Sequence, residues 1–270
     1  MQYESQSTVR VAIAGYGAIG NTIAAHLLAG IPGLSLVAVG VRNHDAARAL
    51  LPASVMVTEI GALAELADII VECAPAAVLG AIAEPALRAG RSVVVLSCGA
   101  LLERPELIEL ARAHGGRILV PTGALLGLDA VAAAAEGTIE SVRMTTRKPP
   151  GGLAGAPHLL CHGIGVDGLT EAKLVFEGTA REAARGFPAN VNVAAALSLA
   201  GIGADRTQIA IWADPAITRN VHRIDVEADS ARFTLQIENV PSDNPRTGRI
   251  TALSVIALLR KLRSPLAVGT

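Results

Sequence analysis

Aromatic side chains are scarce in this chain: its 270 residues include one Trp, two Tyr and three Phe. A core for a chain of that length must then be assembled from Ala, Val, Leu and Ile, which suits close packing of helices on a sheet. Cysteine is equally sparse. Cys73, Cys98 and Cys161 are an odd set with no C-x-x-C spacing, which argues against a disulfide framework and against a zinc site. Neither sign of charge is in excess, since the formal net charge is −1, so no nucleic-acid or anionic-membrane partner is expected. No uninterrupted apolar run reaches the length that spans a bilayer. Met1 to Thr8 is polar and lacks the apolar segment of a signal peptide, which predicts a cytoplasmic protein.

What is present is concentrated near the start. Val9 to Ala14 is apolar and β-prone, and it runs into Gly15-Tyr16-Gly17-Ala18-Ile19-Gly20 before a helical pattern from Asn21 to Leu28. Each glycine of a Gly-x-Gly-x-x-Gly loop has a physical task. Gly15 permits the tight strand-to-helix turn, Gly17 lets the backbone approach a pyrophosphate, and Gly20 lets the helix pack close to the strand. The helix N-terminus, with Ala18 and Ile19 in its first turn, offers unpaired N–H groups to phosphate oxygens. Three glycines at this spacing also occur in turns that bind nothing, but the strand before and the helix after favour a dinucleotide.

Strand-like and helix-like segments then alternate. Leu34–Val41 is a continuous apolar run, as for a strand buried on both faces. At its end an NAD site usually carries Asp or Glu for the ribose, whereas this chain has Arg42-Asn43-His44. Arg42 and Asn43 can hold a 2′-phosphate by charge-assisted hydrogen bonds, which favours NADP or use of both cofactors. The alternative for Arg42 is a solvated loop cation. Further strands are expected at Ile69–Cys73, Ser92–Leu96 and Arg117–Val120, with helical patterns at Ile60–Leu66, Val78–Ala89 and Pro105–His114. This grammar predicts a doubly wound parallel sheet whose ligand lies beyond the carboxyl ends of its strands. Small residues there, Ala74 among them, leave room for a nicotinamide ring. Cys98 has no neighbouring base and is not expected to be a nucleophile.

From about Gly123 the pattern changes to several strands with few helices: Ser141–Arg147, Ala172–Glu177, Gln208–Trp212, His222–Glu227 and Arg232–Glu238. A second, α+β domain with a largely antiparallel sheet is expected, followed by a helix over Thr247–Leu262 that returns to the first domain. The expected division is 1–122 for the dinucleotide-binding Rossmann domain, 123–245 for the catalytic and dimerisation domain, and 246–270 for the C-terminal helix. Of six histidines, His222 is the best placed for proton transfer, at a strand start in Asn220-Val221-His222-Arg223-Ile224. His158 and His162 lie four apart beside Cys161, but no third ligand is spaced to complete a metal site.

Several stretches together resemble the L-aspartate dehydrogenase family. They are the glycine loop, Pro121-Thr122-Gly123-Ala124, Gly127-Leu128-Asp129-Ala130, Thr145-Thr146-Arg147-Lys148-Pro149-Pro150, Phe187-Pro188-Ala189-Asn190-Val191-Asn192-Val193-Ala194, Ala213-Asp214-Pro215, Asn220-Val221-His222-Arg223-Ile224 and Asn244-Pro245-Arg246-Thr247. The resemblance implies a Rossmann domain joined to a catalytic domain, usually as a homodimer. It implies oxidation of L-aspartate to iminoaspartate with NAD or NADP, the reverse being amination of oxaloacetate with ammonia. The iminoaspartate can feed pyridine nucleotide biosynthesis. The family's catalytic histidine falls on His222 and its cofactor contacts on Ala124 and Asn190. A dicarboxylate substrate also needs cations or helix N-terminal amides, for which Arg147, Lys148 and Asn192 are the candidates.

The chain departs from the family pattern in places. Thr122 and Gly248 stand where Ser is usual, Leu126 replaces a smaller residue, and Cys98 occupies a position that is commonly apolar. These changes leave two alternatives open: a related Rossmann dehydrogenase acting on another small amino or hydroxy acid, and an NAD(P)-sensing protein without catalysis.

Overall fold

The computed structural model describes residues 7–188, 191–241 and 248–269. By their contacts these residues divide into two compact units, one running to Pro121 together with Ala252–Val268 and one between Thr122 and Thr251 together with Gly269.

The first unit alternates strands and helices: β1 Val9–Ala14, α1 Ala18–Leu28, β2 Leu34–Gly40, α2 His44–Arg48, β3 Met56–Thr58, α3 Leu63–Leu66, β4 Ile69–Glu72, α4 Leu79–Arg88, β5 Ser92–Val95, α5 Cys98–Leu102, α6 Glu106–His114 and β6 Arg117–Leu119. The strands form one parallel sheet in the order β3-β2-β1-β4-β5-β6. Strand order reverses between β1 and β4, the point at which open α/β sheets leave a crevice for ligands. β1 shows why the apolar runs are continuous. Val11 and Ile13 enter one core and Ala12 and Ala14 the opposite one, all without solvent exposure. The Val11 side is covered by Ile23, Ala24 and Leu27 of α1, and the Ala12 side by Leu79, Ile82, Ala86 and Leu107.

The structure adds β3 to the strands expected from sequence. Three residues are too few for any periodicity to register, and this short edge strand is held by register with Ala38–Gly40 of β2. The helix expected over 60–66 is a 3₁₀ turn at Ile60–Ala62 followed by α3.

In the second unit the order is α7 Leu128–Ala135, β7 Ile139–Lys148, α8 Pro157–Cys161, β8 Lys173–Thr179, α9 Ala180–Gly186, α10 Asn192–Ala200, β9 Gln208–Ala213, β10 Asn220–Ala228 and β11 Arg232–Asn239. The sheet order is β11-β10-β7-β9-β8, and only the β7–β9 pair is parallel. Alternation on β7 is strict over its second half: Val142, Met144, Thr146 and Lys148 are buried, while Arg143, Thr145 and Arg147 are not. The last helix, α11 Ile250–Lys261, packs Ala252, Val255, Ile256 and Leu259 into the Val11 side of the first unit's core.

Candidate active site

The glycine loop has the geometry that its sequence suggests. Gly15 has φ of 97°, and a Cβ there would lie 2.6 Å from the Cys73 carbonyl oxygen. A Cβ on Gly20 would meet the Gly15 carbonyl oxygen at 2.2 Å. Around Gly17, by contrast, no atom of the described residues lies within 4 Å of the position a Cβ would take. Gly17 is also the N-cap of α1 and makes no side-chain cap, so the first-turn amides beginning at Ala18 and Ile19 have no partner in the helix. An open approach onto uncapped amides fits a dinucleotide pyrophosphate.

Arg42 is exposed just beyond the end of β2. Asn43 has a second occupation, since its Oδ1 accepts the Ala46 N–H at 3.1 Å as the N-cap of α2. Ala74 is half-buried after β4 and is tied to Glu72, which no sequence motif marks. Glu72, with no solvent exposure, accepts the N–H groups of Leu96 at 3.0 Å and Ser97 at 2.8 Å and the Ser97 hydroxyl at 3.0 Å, with Ala74 as a further backbone donor. Burial pushes this carboxyl's pKa up, and the donors oppose the shift. Glu72 thereby joins the loops at the ends of β4 and β5. Cys98 is buried and its thiol is pushed up to about 12 by burial first and by Glu72 second, so it is no nucleophile.

In the second unit His222 and Lys148 come together. His222 on β10 is in register with Thr146 on β7, and its Nδ1 lies 3.0 Å from Thr146 Oγ1. Burial, and then the charge of Lys148, lower the imidazole pKa from 6.5 to about 3. Lys148, two residues along β7 from Thr146 and on the same face, is lowered from 10.5 to about 8 by burial. Arg147 is on the opposite face. Its guanidinium bonds Asp214 at 2.9 Å and lies over the Trp212 ring, so it is turned away from His222.

Asn220 shares the His222 face and, with Asn239 of β11, lines a cavity of about 210 Å³. Asn239 donates to the Ala124 carbonyl at 2.9 Å, which anchors that residue. Asn192 is exposed at the first turn of α10. Asn190 lies outside the described residues, as does the stretch Asn244 to Thr247. His158 and His162 stack at 4.1 Å, with Phe176 and Phe187 against His158, as an aromatic cluster.

Two family models match the chain: "Homoserine dehydrogenase, NAD binding domain" over residues 15–121 and "Aspartate dehydrogenase, C-terminal" over residues 129–262. An L-aspartate dehydrogenase of Bradyrhizobium diazoefficiens is 61% identical over 98% of this chain and 96% of its own length. This chain belongs to the L-aspartate dehydrogenase family. A second member, L-aspartate dehydrogenase 3 of Bordetella bronchiseptica, is 56% identical over 98% of this chain and 99% of its own. The crystal structure of the Thermotoga maritima aspartate dehydrogenase has the same fold, with a TM-score of 0.76 at 23% identity over 97% of this chain and 99% of that one. As a family member the chain is an oxidoreductase whose first unit is an NAD-binding domain.

Proposed function

We propose that this chain catalyses the NAD- or NADP-dependent oxidation of L-aspartate to iminoaspartate and, in reverse, the reductive amination of oxaloacetate with ammonia. The observation that carries the reading is the buried His222 beside Lys148, in a chain so similar along its whole length to an L-aspartate dehydrogenase. Gly15, Gly17, Ala18, Ile19 and Gly20 are assigned to the cofactor's pyrophosphate, Arg42 and Asn43 to its ribose end, and Ala74, Ala124 and Asn190 to its nicotinamide end. When bound there, the nicotinamide would supply the acceptor for the hydride that leaves Cα.

The chain's own residues handle the proton and the charge. The amine of aspartate must shed a proton for the C–N bond to become an imine, and His222 is a neutral acceptor at physiological pH. Lys148, a buried cation on the His222 side of the sheet, is assigned to a substrate carboxylate. Binding that carboxylate also offsets the positive field on His222, which raises the ring's proton affinity as the substrate arrives. Asn192, at the head of α10, is assigned to the second carboxylate. Arg147, already engaged by Asp214 and Trp212, is left out of the substrate set. The family resemblance supports a homodimer working in the cytoplasm.

The test is the initial rate of nicotinamide reduction with L-aspartate, D-aspartate, L-glutamate and L-malate, each with NAD and with NADP. Turnover with L-aspartate alone is expected. Cofactor binding without turnover on any of the four would point instead to another substrate or a sensor.

A further inference from the structure

Between His222 and Lys148 on the same face of the sheet lies a third buried polar side chain, Thr146. Across the sheet the row runs Ile237 on β11, His222 on β10, Thr146 on β7 and Ile211 on β9. The imidazole and the hydroxyl therefore have apolar neighbours on their outer sides and face each other. Thr146 is 3% exposed and His222 2%, so neither exchanges this bond freely for water. A threonine hydroxyl can donate to an imidazole nitrogen or accept from it. The two arrangements differ in what they leave at the far nitrogen.

We propose that Thr146 is the positioning residue of the acid–base site: its Oγ1 accepts the Nδ1–H of His222 and leaves Nε2 bare to take a proton from the substrate ammonium. This rests on the aspartate-oxidation reading. Uptake at Nε2 breaks an N–H bond of the ammonium, forms Nε2–H, and leaves an imidazolium that carries a proton on both nitrogens. With Oγ1 already accepting from Nδ1, that hydrogen bond keeps its direction through the transfer and strengthens as the ring becomes cationic. Were Thr146 to donate to Nδ1, the ring's single proton would sit on Nε2 and block the uptake. In the amination direction Nε2–H returns the proton and the Nδ1–H bond again keeps its direction. A neutral acceptor also suits the place. A carboxylate would pair with Lys148 and withdraw it from the substrate.

The experiment compares Thr146→Val, which keeps the shape and removes the hydroxyl, with Thr146→Ser, which keeps the hydroxyl. Steady-state rates with L-aspartate are measured together with ¹⁵N spectra of the histidine rings, the His222 signals being those lost in His222→Asn. Loss of the buried hydrogen bond should lower kcat of T146V about tenfold or more, with KM and cofactor binding unchanged, and T146S should recover most of the rate. The wild type and T146S should show His222 protonated at Nδ1, and T146V a mixture of tautomers. A wild-type ring protonated at Nε2, a T146V enzyme with undiminished kcat, or a T146S enzyme as impaired as T146V would overturn the assignment. Should the wild type not oxidise L-aspartate at all, the functional reading fails, and the spectra still decide which atom carries the proton.

Discussion

Arg147 and Lys148 are consecutive on β7 and leave it on opposite faces. The first lies over Trp212 and bonds Asp214, while the second is buried on the His222 side of the sheet. Two cations that look equivalent in the sequence therefore have separate consequences. Lys148→Met should raise KM for L-aspartate and leave cofactor binding unchanged, whereas Arg147→Met should leave KM for L-aspartate near the wild-type value. Equal effects in steady-state kinetics would overturn the assignment of Lys148 to a substrate carboxylate.

Lys148 also has a signed effect on stability. Its folded pKa of about 8 lies below the ordinary 10.5, so between those values the unfolded chain binds the extra proton. Lys148 thus contributes stability that grows as pH rises from about 8 to 10.5, by about 3 kcal/mol in all from the relation of pKa shift to free energy. The difference in unfolding free energy between wild type and K148M, measured by urea titration across that range, should show this slope.

His222→Asn should lower kcat by about 10²- to 10⁴-fold, the usual worth of a general acid–base group, with cofactor affinity retained. The same residue acts on acid stability. Its folded pKa of about 3 is below 6.5, so the unfolded chain gains the proton first as pH falls through that window. The wild type should lose stability between pH 6.5 and 3 more steeply than H222N. Parallel unfolding curves would show that the ring is not held neutral.

The glycine loop separates folding from binding. Gly20→Ala puts a Cβ 2.2 Å from the Gly15 carbonyl oxygen, so the turn must shift and the melting temperature should fall. Gly17→Ala meets no atom of the described residues within 4 Å and should leave the melting temperature unchanged while weakening NAD and NADP together, as expected if the methyl occupies the pyrophosphate's approach. Calorimetry of folding and of cofactor binding distinguishes the two.

If Arg42 holds the 2′-phosphate of NADP, the two cofactors should respond differently to its removal. Arg42→Ala should weaken NADP by about tenfold or more, as expected for loss of a charge-assisted hydrogen bond to phosphate, with little change for NAD. An equal loss for both would make Arg42 an adenine-stacking residue.

Much of this protein was legible in its residues. Continuous apolar runs such as Leu34–Val41 report a strand covered on both sides, because no face of it meets water. The three glycines name their tasks because each is a local requirement of backbone space. His222 is marked as a candidate by its type and by its place near the start of β10. What sequence could not supply was partnership across the sheet. The stretch Thr145 to Lys148 offers two hydroxyls and two cations, and alternation alone pairs Thr146 with Lys148 on one side. Which side His222 occupies depends on the antiparallel register of β10 on β7, a pairing across 76 residues of chain. The same holds for Glu72, which reads as one acid in an apolar strand until the end of β5 brings Leu96 and Ser97 to its carboxylate. Local sequence determines which backbone conformations and periodicities are allowed. Only the folded chain decides which polar groups share a buried space, and there low polarity shifts their protonation.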